Sequence, residues 1–219
     1  MKILNLYAGI GGNRKLWKGH EVTAVEINPE IAKIYKDFFP EDKIIVGDAH
    51  EYLLQHYKEF DFIWSSPPCP SHSQVRFGLG VCSGKSKPVY PDMNLYQEII
   101  LLDKHFKGFW CVENVMAYYE PLIKPKKVGR HWYWSNFNIL EIKVKPSRIS
   151  QQSKKYSKSP TRIFKANDFE KLYGFDLSKY CGVDKRLLLR NCVEPEIGLH
   201  IFKCVNKEKQ HTLFKRLKK

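Results

Sequence analysis

The chain has 219 residues, of which 43% are hydrophobic and 14% aromatic, so one packed core is expected and a fibre or a disordered chain is excluded. No run of about 18 apolar residues is present, and the start MKILNLYAGIGG lacks a cationic lead and a cleavage site. We therefore expect a soluble, cytoplasmic protein without a membrane span.

The net charge of +14 is uneven, with +2 on residues 1–140 and +12 on residues 141–219. This asymmetry is typical of a catalytic body beside a surface that binds a polyanion. A solvated, lysine-rich tail is the alternative explanation. The six cysteines form no C-x-x-C pair and no zinc-like Cys/His spacing, which favours reduced thiols and no metal site.

The N-terminal half alternates short apolar runs with amphipathic stretches. Each run is rich in Val, Ile, Phe or Trp and ends in Gly, Asn, Asp or Pro, as buried parallel strands do. Residues 29–39 and 93–106 have apolar side chains at helical spacing. This alternation predicts a doubly wound, mostly parallel α/β sheet. The predicted strands lie in KILNLYAG, HEVTAVEIN, DKIIVGDA, FDFIWSSPP and GFWCVENV.

Two segments interrupt this alternation. Residues 70–91 are rich in Gly and Pro and are predicted to form a long functional loop that closes over a substrate. The Ser/Lys-rich stretch that begins at residue 145 predicts a basic linker or an exposed hairpin. Helices are predicted in ANDFEKLYGF and DKRLLLRNCVEPEIGLHIFKCV. We divide the chain into a catalytic and cofactor-binding domain (1–144), a short basic recognition segment (145–161) and C-terminal helical elements that pack back on the domain (162–219).

The first three predicted strands end in residues suited to an adenosine. Three glycines follow Tyr7, where the chain must turn tightly and expose backbone N–H groups to a ligand. Glu26 ends the second strand, where doubly wound folds place a carboxylate on ribose hydroxyls, and Asp48 suits an adenine amino group. The glycines do not fit G-x-G-x-x-G, which disfavours NAD.

The fourth and fifth strands end in Ser66-Pro67-Pro68-Cys69 and in Glu113-Asn114-Val115. In this order after the glycine turn, these motifs resemble the DNA (cytosine-5)-methyltransferase family. Arg130–Phe137, Arg162 with Glu170–Phe175, and Arg190–Val193 are similar to its later elements. The chain departs from the family at Pro70 (usually Gln), at Val128 (usually the first Arg of Arg-x-Arg), at Arg190 (usually Gly) and in lacking a long recognition domain.

The resemblance implies S-adenosylmethionine as cofactor and double-stranded DNA as partner, and chemistry assigns the catalytic roles. Carbon 5 of cytosine is a poor nucleophile, so a Cys69 thiolate must first attack carbon 6. Glu113, with a pKa raised by burial, would hold or donate a proton at N3. Asn114 would brace the loop, and Arg130 would contact the base edge or a phosphate.

Two further sets of residues complete the predicted site. The predicted cofactor contacts are Tyr7, Ala8, Gly9, Ile10, Gly11, Gly12, Glu26, Ile27, Asp48, Ala49, Pro68, Asn191 and Val193. The predicted DNA contacts are Ser71, Gln74, Arg76, Arg148, Lys154, Lys155, Lys158 and Arg162.

Several alternatives remain open at this point. Cytosine-5 methylation of RNA fits the same motifs, and the S-P-P tripeptide also occurs in methyltransferases of exocyclic amino groups, although Cys69 and Glu113 have no role there. A catalytically dead DNA-binding homologue would not need all of these residues. We expect a monomer with a target of about two to four base pairs, because the recognition segment is short. A partner protein that supplies specificity is the alternative.

Overall fold

The computed structural model describes residues 1–142 and 166–205, and a seven-stranded sheet forms its centre. The first five strands run parallel in the order β3-β2-β1-β4-β5, and the sheet continues with the antiparallel β7 and β6. The predicted doubly wound, mostly parallel sheet is confirmed. The strands are β1 Lys2–Leu6, β2 Glu21–Glu26, β3 Lys43–Val46, β4 Phe62–Ser65, β5 Phe109–Val115, β6 Lys126–Val128 and β7 His131–Ser135.

Two of the helices begin directly after sheet strands and are capped there by side chains. Asn28 accepts hydrogen bonds from two N–H groups of α1, and Asp48 does the same for α2. These caps keep the carboxyl ends of β2 and β3 close to helix N-termini. The helices are α1 Pro29–Phe38, α2 Ala49–His56, α3 Gln74–Arg76, α4 Asn94–His105, α5 Ala166–Tyr173, α6 Lys185–Arg190 and α7, which covers 195–205.

Helices cover both faces of the sheet. On one face, Leu95 and Ile99 of α4 pack in a cluster with Leu4 and Val112. A second cluster on the other face joins apolar side chains of α7 to Trp17. The C-terminal residues that the structure describes therefore pack back on the sheet, while the domain boundaries predicted between 144 and 162 lie outside the described residues.

The prediction of a long loop without regular structure for residues 70–91 is wrong in part. The segment contains α3 and a π-helical turn, Phe77–Val81. Ser73 caps α3 by accepting a hydrogen bond from the Arg76 N–H at 3.3 Å. The Phe77 ring stacks on Tyr118 with centroids 4.4 Å apart. A contact across 41 positions of sequence stabilises this turn, so local periodicity did not indicate it.

Two further observations concern the cysteines and the length and polarity of the helices. All six cysteines are free thiols. Among residues 1–142 and 166–205, every helix is too short or too polar to cross a membrane.

Candidate active site

The glycine turn after β1 is open on one side and tightly packed on the other. Tyr7 and Gly9 both have φ of 53°. A Cβ added to Gly9 would meet no atom within 4 Å, whereas one on Gly12 would lie 2.6 Å from the carbonyl oxygen of Val193. Gly9 therefore leaves room for a ligand, and Gly12 allows the C-terminal segment to pack closely against the turn.

The Glu26 carboxylate joins this turn to the end of β2. It is buried and accepts hydrogen bonds from the Gly9 N–H at 2.9 Å and from the Asn28 N–H at 3.0 Å. Each carboxylate oxygen keeps a second lone pair that a ribose hydroxyl could use. Ile27, the next residue, is 67% exposed despite being apolar. The arrangement fits an adenosine whose sugar binds Glu26.

The other predicted cofactor residues differ in their surroundings. Asp48 is exposed, and its Oδ1 accepts the His50 and Glu51 N–H groups as the cap of α2, so only Oδ2 remains for a ligand. Ala8, Ile10, Ala49 and Val193 are buried in hydrophobic clusters. Pro68 is exposed, and Asn191 lines the cavity described below.

The loop that carries Cys69 is tied to the end of β5. The Cys69 carbonyl accepts hydrogen bonds from the N–H groups of His72 and Ser73, at 3.0 and 3.1 Å. Asn114 donates from Nδ2 to the Pro67 carbonyl at 2.9 Å, which links the Pro-Pro-Cys segment to the Glu-Asn-Val segment. Asn114 thus occupies a position from which it braces the loop.

A cavity of about 460 Å³ adjoins Cys69, within the size range of small-molecule sites. It brings together five of the residues that the sequence assigns to catalysis, DNA or cofactor: Cys69, Gln74, Arg76, Arg130 and Asn191.

The structure describes one further predicted DNA contact, Ser71. Ser71 is outside this cavity, and its Oγ accepts the Asp92 N–H at 3.0 Å. Arg148, Lys154, Lys155, Lys158 and Arg162 are outside the described residues.

The two candidate catalytic groups, Glu113 and Cys69, both have raised pKa values, and the charge of Glu113 acts on Cys69. Burial raises the pKa of Glu113 to about 7, against the opposing effects of a Ser66 hydrogen bond and the Arg130 charge. Burial and the Glu113 charge raise the pKa of the Cys69 thiol, whereas the charges of Arg190 and Arg130 lower it. Protonated Glu113 is therefore present near neutral pH, and its neutral form favours the Cys69 thiolate.

Two residues beside Glu113, Ser66 and His131, were not predicted as site residues. The Trp64 indole N–H donates to Ser66 Oγ at 2.9 Å, and Ser66 in turn is hydrogen-bonded to Glu113. His131 Nε2 lies 3.7 Å from Glu113 Oε1, but burial lowers the pKa of His131 to about 3, so the imidazole is neutral. The position of Ser66 before Pro-Pro-Cys was the available sequence signal.

A buried carboxylate connects the glycine turn to the end of β4. Glu98 is fully buried, and its Oε1 accepts the Tyr7 hydroxyl at 2.6 Å. Its Oε2 accepts the Ser65 hydroxyl at 2.5 Å, and His50 Nδ1 lies 3.0 Å from Oε1. Tyr7 begins the turn of the predicted cofactor site, and Ser65 leads into the Cys69 loop. Glu98 thereby holds the two loops in register.

We expect Glu98→Ala to lower the free energy of unfolding by about 2–4 kcal/mol, because it leaves buried hydroxyl groups without an acceptor. Urea denaturation measures this effect. The control is Glu59→Ala, whose exposed side chain pairs with His56 and should change stability by less than about 0.5 kcal/mol. Equal effects of the two substitutions would contradict a structural role of the Glu98 network.

Comparisons with known proteins identify a family and relatives that match the N-terminal half of the chain. The model of the family "C-5 cytosine-specific DNA methylase" matches residues 1–116, which is more than half of the chain. A tRNA (cytosine(38)-C(5))-methyltransferase from Spodoptera frugiperda is 40% identical over 75 residues, 31% of this chain and 23% of that protein. The Mus musculus protein of the same name is 23% identical over 153 residues, 59% of this chain and 37% of that protein. The matches thus cover well under half of these curated relatives.

A solved structure extends the likeness to nearly the whole chain. The methyltransferase EhMeth from Entamoeba histolytica matches with a TM-score of 0.55 and 14% identity, over 95% of this chain and 98% of that chain. At this identity the match shows a common fold. The matched motifs of residues 1–116 place the chain in the C-5 cytosine-specific DNA methylase family.

Proposed function

We propose that the protein transfers the methyl group of S-adenosylmethionine to carbon 5 of cytosine in double-stranded DNA, through a covalent Cys69 adduct. One observation carries the proposal: neighbouring parallel strands bring the predicted groups to one edge of the sheet. The Gly9 turn follows β1, Glu26 ends β2, the Cys69 loop follows β4, and Glu113 lies near the end of β5. Ligands of doubly wound sheets bind at such an edge, next to the point where strand order reverses.

S-adenosylmethionine is the cofactor that membership in this family implies, and the glycine turn with Glu26 fits it. When bound, it supplies an electrophilic methyl group. Glu26 would bind the ribose hydroxyls of the cofactor, and the open space beside Gly9 would accommodate an adjoining part of the cofactor. The hydrogen bond that Tyr7 donates to Glu98 keeps Tyr7 and the turn in place.

The chain's own residues activate the base. Cys69 Sγ forms a bond to carbon 6, the electrons of the C5=C6 double bond make carbon 5 nucleophilic, and Glu113 donates its proton to N3. After methylation of carbon 5, a solvent base removes the carbon 5 proton, Glu113 regains its proton from N3, and the Sγ–C6 bond breaks. The net change is one methyl gained by the ring and one proton released. Since carbon 6 is hidden in a stacked duplex, the cytosine must flip out to reach Cys69.

RNA is the second candidate substrate, because both curated relatives are named as tRNA methyltransferases. DNA is favoured here by the family model, which is a model of DNA methylases and covers both the glycine turn and the Cys69 and Glu113 motifs.

We place the reaction in the cytoplasm. The recognition segment, its contacts to phosphates and a monomeric state stay predictions of the sequence.

The transfer of label from methyl-tritiated S-adenosylmethionine distinguishes DNA from RNA as the substrate. Purified protein is incubated with unmethylated plasmid DNA and, in parallel, with total tRNA, and the labelled nucleoside is identified after digestion. We expect 5-methylcytosine in the plasmid, and bisulfite sequencing of that plasmid should reveal a short target. Label confined to tRNA would contradict the DNA substrate, whereas N4-methylcytosine or N6-methyladenine would contradict the chemistry.

A further inference from the structure

Arg190 is the last residue of α6 and lines the cavity beside Cys69. Its side chain is exposed, and its charge lowers the pKa of the Cys69 thiol. The residue lies outside the part of the chain that the family model matches, residues 1–116. The C-terminal elements thus bring a cation to the candidate nucleophile.

Three arginines line this cavity and carry their guanidinium groups on separate parts of the chain: Arg76 on α3, Arg130 between β6 and β7, and Arg190 on α6. Arg76 donates to the Lys87 carbonyl at 3.0 Å, and Arg130 to the Tyr173 hydroxyl at 3.4 Å. Across residues 1–142 and 166–205, no carboxylate oxygen lies within 4 Å of any of the three.

The residues that line this cavity in the described part of the chain include three arginines and no acidic residue. Glu113 and Glu194 interact electrostatically with Arg130, and burial raises the pKa of both carboxyl groups. The cavity is therefore lined by more positive than negative charge, and its arginines keep free donors. A site of this kind suits an anion held by charge-assisted hydrogen bonds.

We propose that Arg190 is a substrate-binding residue that donates hydrogen bonds to a backbone phosphate next to the target cytidine. This inference rests on the proposed function. A cytosine placed against Cys69 carries a phosphate on each side of its sugar, and these charges must lie at the border of the cavity. A planar guanidinium binds phosphate oxygens in pairs, which fixes the nucleotide as well as attracting it. Arg190 would then hold the extruded nucleotide from the side of the C-terminal helices.

The test uses Arg190→Ala with Arg186→Ala as its matched control, because Arg186 is an exposed arginine of the same helix that does not line the cavity. The dissociation constant of a fluorescent DNA duplex of mixed sequence is measured between about 50 and 200 mM salt. We expect Arg190→Ala to bind about tenfold more weakly, with the slope of log affinity against log salt reduced by about one. Arg190→Lys should keep the slope, since it keeps the charge.

The affinity for S-adenosylmethionine is measured on the same variants, because Asn191 and Val193 are predicted cofactor contacts. Weaker cofactor binding with an unchanged salt slope would overturn the inference and assign Arg190 to the cofactor. An Arg190→Ala slope equal to that of Arg186→Ala would overturn it as well, while leaving the proposed function intact. A wild-type protein that methylates plasmid DNA separates this failure from failure of the proposed function.

Discussion

Replacing Cys69 by serine is expected to lower methyl transfer by about 10⁴-fold or more while cofactor affinity changes by less than about threefold. A serine hydroxyl is a far weaker nucleophile than a thiolate, so attack on carbon 6 fails. The predicted cofactor site is built from other strand ends, mainly the Gly9 turn and Glu26. Single-turnover transfer of labelled methyl and calorimetric titration of S-adenosylmethionine measure the two quantities.

The matched control is Cys82→Ser, an exposed cysteine that follows the π-helical turn of the same segment. It should transfer methyl at the wild-type rate. A duplex in which 5-fluorocytosine replaces cytosine provides a second measurement, because fluorine cannot leave as a proton does and the Cys69 adduct accumulates. A denaturation-resistant adduct that persists in Cys69→Ser would assign the nucleophile to another cysteine.

The strand ends were predictable because each depends on local pattern and on a general rule of parallel sheets. Short apolar runs that end in Gly, Asp or Pro located β1 to β5, and the carboxyl ends of parallel strands share one edge. This reasoning was sufficient to place Cys69 and Glu113 near each other without knowledge of the loops. It also assigned Glu26 correctly to the end of β2, beside the glycine turn.

The residues that sequence reasoning missed depend on contacts between distant segments. Glu98 lies on the apolar stripe of α4 between Leu95 and Leu102, and an acid at that position was a usable sign of a buried partner. Its partners Tyr7 and Ser65 follow only from the order of the strands. Arg190 reaches the Cys69 cavity because Leu189 of α6 packs in one cluster with Ile10 of the glycine turn, which no periodicity in residues 185–190 indicates.

Glu113 offers the sharpest test of the proton at N3. Because its pKa is about 7, the protonated form that donates to N3 disappears as the pH rises through 7. The pKa of Cys69 is raised above its ordinary value of 9, so the single-turnover rate of the wild type should rise up to about pH 7, stay level while the gain in thiolate offsets the loss of protonated Glu113, and fall only above the Cys69 pKa. Glu113→Gln cannot deliver a proton, and we expect its rate to be about 10²–10⁴-fold lower and to lack the descending limb.

The same substitution should also change how the free energy of unfolding depends on pH. The folded-state pKa of Glu113 is raised from 4.5 to about 7, so the folded protein binds more protons than the unfolded chain between these values. This contribution to stability is complete below pH 4.5 and is lost as the pH rises through about 7, an effect on the order of 3 kcal/mol. Glutamine stays neutral, so Glu113→Gln should gain stability relative to the wild type between pH 5 and pH 8, whereas the exposed Glu120→Gln should not. Urea denaturation at the two pH values decides the matter: parallel pH dependences of the wild type and Glu113→Gln would mean that Glu113 is ionised at neutral pH and cannot be the proton donor.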